Sequence, residues 1–198
     1  ATENTIIAGD IIHKGDVLKW RKTINALRLK VLMMLSKKES DGDLNIKTAF
    51  AEIVNNQPLF ESMSDDAQLV FLDQEGNRYP EFNSSGYGSG MYMDSTFIRR
   101  LQDRQDPRLF IYCTQTKNAE DGGLAIDDFA AYEGGDPAAP YAEVNTKAAN
   151  GKTSKVNNRY HKDPTTEPII LIAYTEQQLI IAEGIVGGWV AGDAEDYY

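Results

Sequence analysis

The sequence predicts a mainly α-helical fold with long irregular loops and few short strands, on three observations. Trp20, Ile24, Leu27, Val31 and Met34 step by four, three, four and three residues, as one face of a helix does. Tyr174, Gln177 or Gln178, Ile181 and Ile185 keep the same spacing and run into Gly187-Gly188, a left-handed helix stop. Between these segments, residues 114–167 show little of any period and carry Gly122-Gly123, Gly134-Gly135, Pro137 and Pro140, which predicts a long decorated loop.

In chain order, residues 1–15 have no period and read as a loop. A first helix is predicted from Asp16 to Lys38, with the Trp20–Met34 seam facing the core and Leu29, Leu32, Met33 and Leu35 widening the stripe. Asn25 interrupts that pattern, which predicts a structural hydrogen-bonding residue. A second helix covers 44–56, with Ile46, Phe50 and Ile53 inward and Pro58 ending it. Between them, Asp41, Asp43, Asn45 and Glu52 stand at positions one, three, five and twelve, as in a calcium loop. Position six is Ile46 where a glycine is needed, so a capped turn is the preferred reading.

Leu69–Leu72 suggests a short strand. The loop that follows interleaves Tyr79, Phe82, Tyr87 and Tyr92 with Asn83, Ser84, Ser85, Gly86, Gly88 and Gly90. Such rings cannot all be buried in a regular element. They either offer flat faces to sugar rings, with Asn83, Ser84 and Asp94 bonding hydroxyls, or pin the loop to the body. A third helix is predicted over 94–104 with Phe97, Ile98 and Leu101 inward, then a turn at Asp106-Pro107 and an extended run over 109–113. Tyr132 and Tyr141 are candidates for more aromatic surface. The last segment is predicted to be helical from Pro168, with Ile169 to Tyr174 its first apolar turns. Trp189 then packs over the glycine turn and Asp193 caps a second helix at Ala194.

Composition narrows the chemistry. The formal charge of -10 argues against nucleic-acid binding. Residues 14–38 carry eight Lys/Arg against one acid, Asp16, which predicts a basic helix lying on an acidic body. One cysteine, Cys113, excludes internal disulfides and a cysteine zinc cluster, and His13 and His161 are far apart in sequence. Asp127-Asp128 is a poor acid/base couple, because glycoside hydrolysis needs carboxylates opposed across a bond. No phosphate loop, nucleophile elbow or HExxH is present, so neither a catalytic residue nor a cofactor is predicted.

Three blocks resemble a known family. Lys19-Trp20-Arg21-Lys22 with Asn25-Ala26-Leu27-Arg28-Leu29-Lys30 is similar to the KWxKFANSLRLR signature of SusD/RagB-like outer-membrane lipoproteins of the Bacteroidetes. Asp106-Pro107-Arg108-Leu109 resembles the family's DPRL turn. Pro168, Leu171, Tyr174, Glu176, Leu179, Ala182, Glu183, Gly188, Trp189, Gly192, Asp193, Ala194 and Tyr198 match its terminal block. Thr23-Ile24 stands where Phe-Ala is usual, and Gly184 replaces a common alanine.

The resemblance implies tetratricopeptide-like helix pairs in an α-α superhelix and no catalysis. It further implies a lipid-anchored protein on the outer face of the outer membrane that binds an oligosaccharide or peptide nutrient beside a SusC-type TonB-dependent transporter. Members are considerably longer, so residues 1–198 read as one partial domain: a loop over 1–15, a helical pair over 16–56, a loop-rich stretch over 57–167 and a helix-turn-helix over 168–198. The lipid anchor would lie outside it. The signature residues are core and turn residues, so the ligand candidates Tyr79, Phe82, Asn83, Tyr87, Tyr92 and Asp94 rest on the aromatic loop alone. A helical-repeat scaffold that binds a protein or peptide without sugar is the alternative.

Overall fold

The computed structural model describes residues 7–88 and 91–197; residues 1–6, Ser89, Gly90 and Tyr198 lie outside the described residues, including parts of the predicted first loop, aromatic loop and terminal block. The helices are α1 (Val17–Met34), α2 (Ile46–Asn56), α3 (Ser85–Gly88), α4 (Ser95–Asp103), α5 (Arg108–Tyr112), α6 (Lys117–Asp121), α7 (Tyr141–Ala149) and α8 (Tyr174–Val186). Two strands, β1 (Ala67–Leu69) and β2 (Ile169–Ile172), pair antiparallel. The mainly α expectation is met. The chain divides into two compact units, Ala1–Val70 with Pro168–Tyr198, and Phe71–Glu167.

In the first unit α1 packs on α2 and α8. Asp16 caps α1 by accepting the Lys19 N–H at 3.0 Å. The face that α1 buries is not the predicted seam. Ile24, Leu27, Val31 and Met34 are exposed, Met34 by 76%, while Lys22, Asn25, Ala26 and Leu29 face inward. The reason is that each inward polar group has a partner. The Lys22 ammonium meets Asp65 at 2.9 Å and Glu61 at 3.1 Å, and the Asn25 amide donates to the Pro58 carbonyl at 2.9 Å. Ala26 is small enough to join Phe60, Ala67 and Ile172 in one cluster. Hydrophobic spacing does not register a lysine whose charge is neutralised in place. Asn25 is structural, as predicted, and Lys30 pairs with Glu176, so the basic helix does lie on acidic residues.

The main cluster joins Leu29 to Ile46, Phe50, Ile53, Ile181, Trp189 and Val190. Ile46, Phe50 and Ile53 are buried as their spacing predicts. Asp41 Oδ1 accepts the Asp43 N–H and Glu52 accepts from the Gln57 amide, while Asn45 at the start of α2 makes no side-chain capping bond.

Pro168 does not open a helix. Ile169–Ile172 form β2 against β1, and α8 starts only at Tyr174. Three of the four residues in that run are β-branched isoleucines, whose stiff χ1 suits a strand. The predicted strand at Leu69–Leu72 is shifted to Ala67–Leu69, and Leu72 instead accepts a turn by donating its N–H to the Asn77 carbonyl.

At its far end α8 closes in a Schellman motif. Trp189 N–H reaches the Gly184 carbonyl, Gly188 N–H reaches Ile185, and Gly188 has φ +69°. The Trp189 ring stands edge-on to Phe50 at 5.3 Å and donates to Glu39 at 2.9 Å. Asp193 caps as expected, by accepting the Glu195 N–H, but the turn at Ala194–Tyr197 is 3-10.

The second unit holds a cluster of Ile98, Leu101, Leu109, Cys113, Ala119, Ala131 and Tyr132. Asp94 caps α4 on Thr96 and Phe97 N–H, and Ile98 and Leu101 are buried as predicted, whereas Phe97 lies at the surface against Tyr112. The expected extended run over 109–113 is α5. Asp106 holds the Arg108 N–H and guanidinium and so sets its first turn. The loop over 114–167 contains α6 and α7. α7 buries no residue fully, so it leaves no periodic trace.

Candidate functional site

The segment 153–157 is the spine of the second unit's polar face. It is held in extended form from several sides: Met93 N–H donates to Ser154 O, Thr114 N–H to Lys155 O, and Asn157 N–H to Tyr112 O. Ser154 is fully buried, its N–H on Glu133 O and its hydroxyl accepting Glu133 N–H. Gly134 and Gly135 make this close packing possible. A Cβ on Gly134 would lie 2.4 Å from Ser95 N, and Gly135 bridges Asp94.

A cavity of about 390 Å³ opens beside this spine. Two of its lining residues form a stacked ring pair, which we call its floor: Tyr87 of α3 lies nearly parallel to the buried His161, with centroids 5.3 Å apart and planes 10° from each other. The His161 ring is buried, and Asn83 fixes its backbone by donating an N–H to the His161 carbonyl at 2.8 Å. Thr114, Gln115 and Asn158 bring neutral polar groups to the wall. Thr153, also in that wall, has a buried hydroxyl with no hydrogen-bond partner among the described residues, where such an oxygen costs about 1–3 kcal/mol.

The charges are mostly cationic. Lys117 and Glu120 come from α6, Lys155 from the spine and Lys162 from beyond it. Lys117 is paired with Asp121. The Lys155 ammonium lies 5.8 Å from the centre of the Tyr92 ring. Burial holds the His161 imidazole below its ordinary pKa, and Lys162 and Lys155 push it further down. An imidazole beside a phenol brings apolar ring surface with polar edges to this lining.

The predicted site residues do not form one arc. Tyr87 floors the first cavity. Tyr92 and Asp94 line a second one of about 280 Å³ with Tyr141, which is exposed as the sequence suggested. Asp94 Oδ1 accepts the Thr96 and Phe97 N–H groups at the start of α4. Tyr79 stands edge-on to Phe71 at 5.5 Å, its N–H on the Pro164 carbonyl. Burial first, and then the Tyr87 phenol, keep its own phenol protonated. Phe82 lies under the Arg78 guanidinium at 5.4 Å. Both therefore help to hold the loop, and neither lines the two cavities.

Tyr132 is not aromatic surface. It is buried, with its hydroxyl on the Ile126 carbonyl at 2.6 Å. Asp128 caps a short turn through the Ala130 N–H. Burial pushes the Cys113 thiol up to about 12, which leaves no thiolate for chemistry.

Sequence reasoning missed Thr153, Lys155, His161 and Lys162. One signal was available. Residues 147–162 carry five Lys/Arg and no acid, in a chain of net charge -10.

Comparison with known proteins gives the family of the chain. Residues 1–198 match a family model described as SusD-like, starch-binding and associating with the outer membrane. A Bacteroides vulgatus outer-membrane protein ascribed to nutrient binding is 55% identical, with a TM-score of 0.85 over 100% of this chain and 43% of that one. A SusD homologue from Bacteroides fragilis is 50% identical, with a TM-score of 0.80 over 98% of this chain and 42% of its own. A chitin-binding protein is 27% identical, with a TM-score of 0.68 over 98% and 40%. The chain thus spans less than half the length of these structures. A comparison with curated proteins finds no match.

Proposed function

The chain belongs to the SusD-like family, and on that premise we propose that it forms part of a cell-surface protein that captures a nutrient glycan without turning it over. In this reading the protein is held at the outer face of the outer membrane by a lipid anchor lying outside these residues. It hands its ligand to a SusC-type TonB-dependent transporter. Among the described residues no helix is long and apolar enough to cross a membrane.

The observation that carries the proposal is the Tyr87–His161 floor inside a polar-walled cavity. A pyranose stacks its C–H face on an aromatic ring such as Tyr87, and Thr114, Gln115 and Asn158 bring polar groups to the same lining. Tyr79, Phe82 and Asn83 act by holding the loop that presents Tyr87. Tyr92 and Asp94 belong to an adjoining cavity, which a longer oligosaccharide would also occupy.

A glycan array probed with the full-length protein tests this, together with its co-purification with the transporter. Saccharide signal and a transporter complex are expected. Retention of a protein or peptide with no saccharide signal would instead make the helical pairs an interaction scaffold.

A further inference from the structure

We propose that the cavity floored by Tyr87 and His161 takes an acidic saccharide, with a sugar ring on the floor and its anionic substituent directed to Lys162 and Lys155. The inference rests on the glycan reading above and adds the class of sugar.

Three observations converge on it. The first is charge reversal. The whole chain is strongly acidic, yet Glu120 is the one carboxylate among the described residues lining this cavity, against Lys117, Lys155 and Lys162. A neutral glycan offers these lysines hydroxyls but no counter-charge, whereas an anionic substituent offers a charge-assisted contact.

The second is which cations remain available. Lys117 is neutralised by Asp121, and Arg159, nearby in sequence, is bound by Glu167 at 2.8 Å. Lys162 makes no ion pair among the described residues, and Lys155 faces only the Tyr92 ring. Third, burial first, and then the positive charges of Lys162 and Lys155, hold the His161 imidazole below its ordinary pKa. The floor therefore sits in a positive field that an anion on the bound sugar would relieve.

Lysines act as point charges and not as planar forks, so carboxylate and sulfate substituents share this chemistry. Uronate-bearing and sulfated oligosaccharides form the two arms of the test.

The measurement is calorimetric titration of the full-length protein. Each acidic oligosaccharide is compared with its neutral counterpart, carboxyl-reduced or desulfated. The acidic ligand of at least one arm is expected to bind about tenfold tighter, the scale of one charge-assisted contact. Lys162→Gln should erase most of that preference, and Glu120→Gln should increase it. Both positions are exposed, and circular dichroism verifies the fold of each variant.

Equal binding of acidic and neutral partners, or a preference that survives Lys162→Gln with Lys155→Gln, overturns the inference and leaves the glycan reading standing. Binding of neither class overturns both.

Discussion

Gly184 shows how a single atom is set by its surroundings. A Cβ there would lie 2.4 Å from Phe50 Cε1 and 2.6 Å from Cζ, and Phe50 is fully buried against Trp189. Helix propensity alone favours alanine over glycine there by about 1 kcal/mol. Overpacking costs typically 1–3 kcal/mol and acts here on a ring that has nowhere to go. Gly184→Ala is therefore predicted to lower stability by about 1–2 kcal/mol in urea unfolding. Relief by the second substitution Phe50→Leu would identify the clash as the cause.

Histidine 13 makes a second prediction at this scale. It is buried, its Nε2 lies 2.7 Å from Thr23 Oγ1, and the Thr23 hydroxyl already donates to the Lys19 carbonyl. With that hydroxyl proton engaged, Nε2 acts as the donor to Thr23 Oγ1. Burial lowers the pKa of His13 and, independently, of His161. A group whose folded pKa is depressed contributes stability above its unfolded value, near 6.5, and loses it as pH falls below that value. Stability is predicted to decline between about pH 7 and pH 5, before the carboxylates titrate. His13→Gln, which keeps a donor for Thr23, should flatten part of the decline in unfolding free energy measured against pH.

At the scale of elements, α8 is docked by one polar side chain. Gln177 is buried; it accepts the Phe60 N–H at 3.0 Å and donates to the Phe60 carbonyl at 3.1 Å. Gln177→Leu leaves both backbone groups unpaired in the core, at about 1–3 kcal/mol each. A fall of about 2–5 kcal/mol in unfolding free energy is expected, against under about 1 kcal/mol for Gln178→Leu on the half-buried side.

The same elements show what the sequence made legible. α2 and α4 carry buried residues at clear helical spacing, and the Asp16, Asp94 and Asp193 caps stand at the element starts. The glycine stop after α8 was equally plain. The burial of α1 was misread because its inward face is built from Lys22, Asn25 and Ala26, whose partners lie far along the chain. β2 was misread because a run of four apolar residues has no period to distinguish strand from helix. α6 is short and α7 has no fully buried face, so neither leaves a hydrophobic pattern. For the site, the aromatic loop pointed to Tyr87. Its partner His161 and the lysines come from a segment more than sixty residues away, and only their uncompensated charge was visible.

Across the whole molecule, the two units divide the work. The Ala1–Val70 and Pro168–Tyr198 unit holds α1 packed on α2 and α8 and two of the three family-like blocks, and Trp20 and Trp189 both belong to it. The Phe71–Glu167 unit carries both ring-lined cavities and most of the irregular backbone. Under the proposed function, such a division would let loops change ligand while the helices keep the fold, as functional loops on rigid scaffolds do. The first unit's stability should therefore be indifferent to changes in the cavity.

The most direct measurement is the dissociation constant of Tyr87→Ala and of the unaltered protein for the saccharide that binds best, both at full length. Losing the ring that completes the floor is predicted to weaken binding by about tenfold or more, with the unfolding midpoint unchanged. An unchanged dissociation constant in a folded variant would contradict glycan capture on the Tyr87–His161 pair.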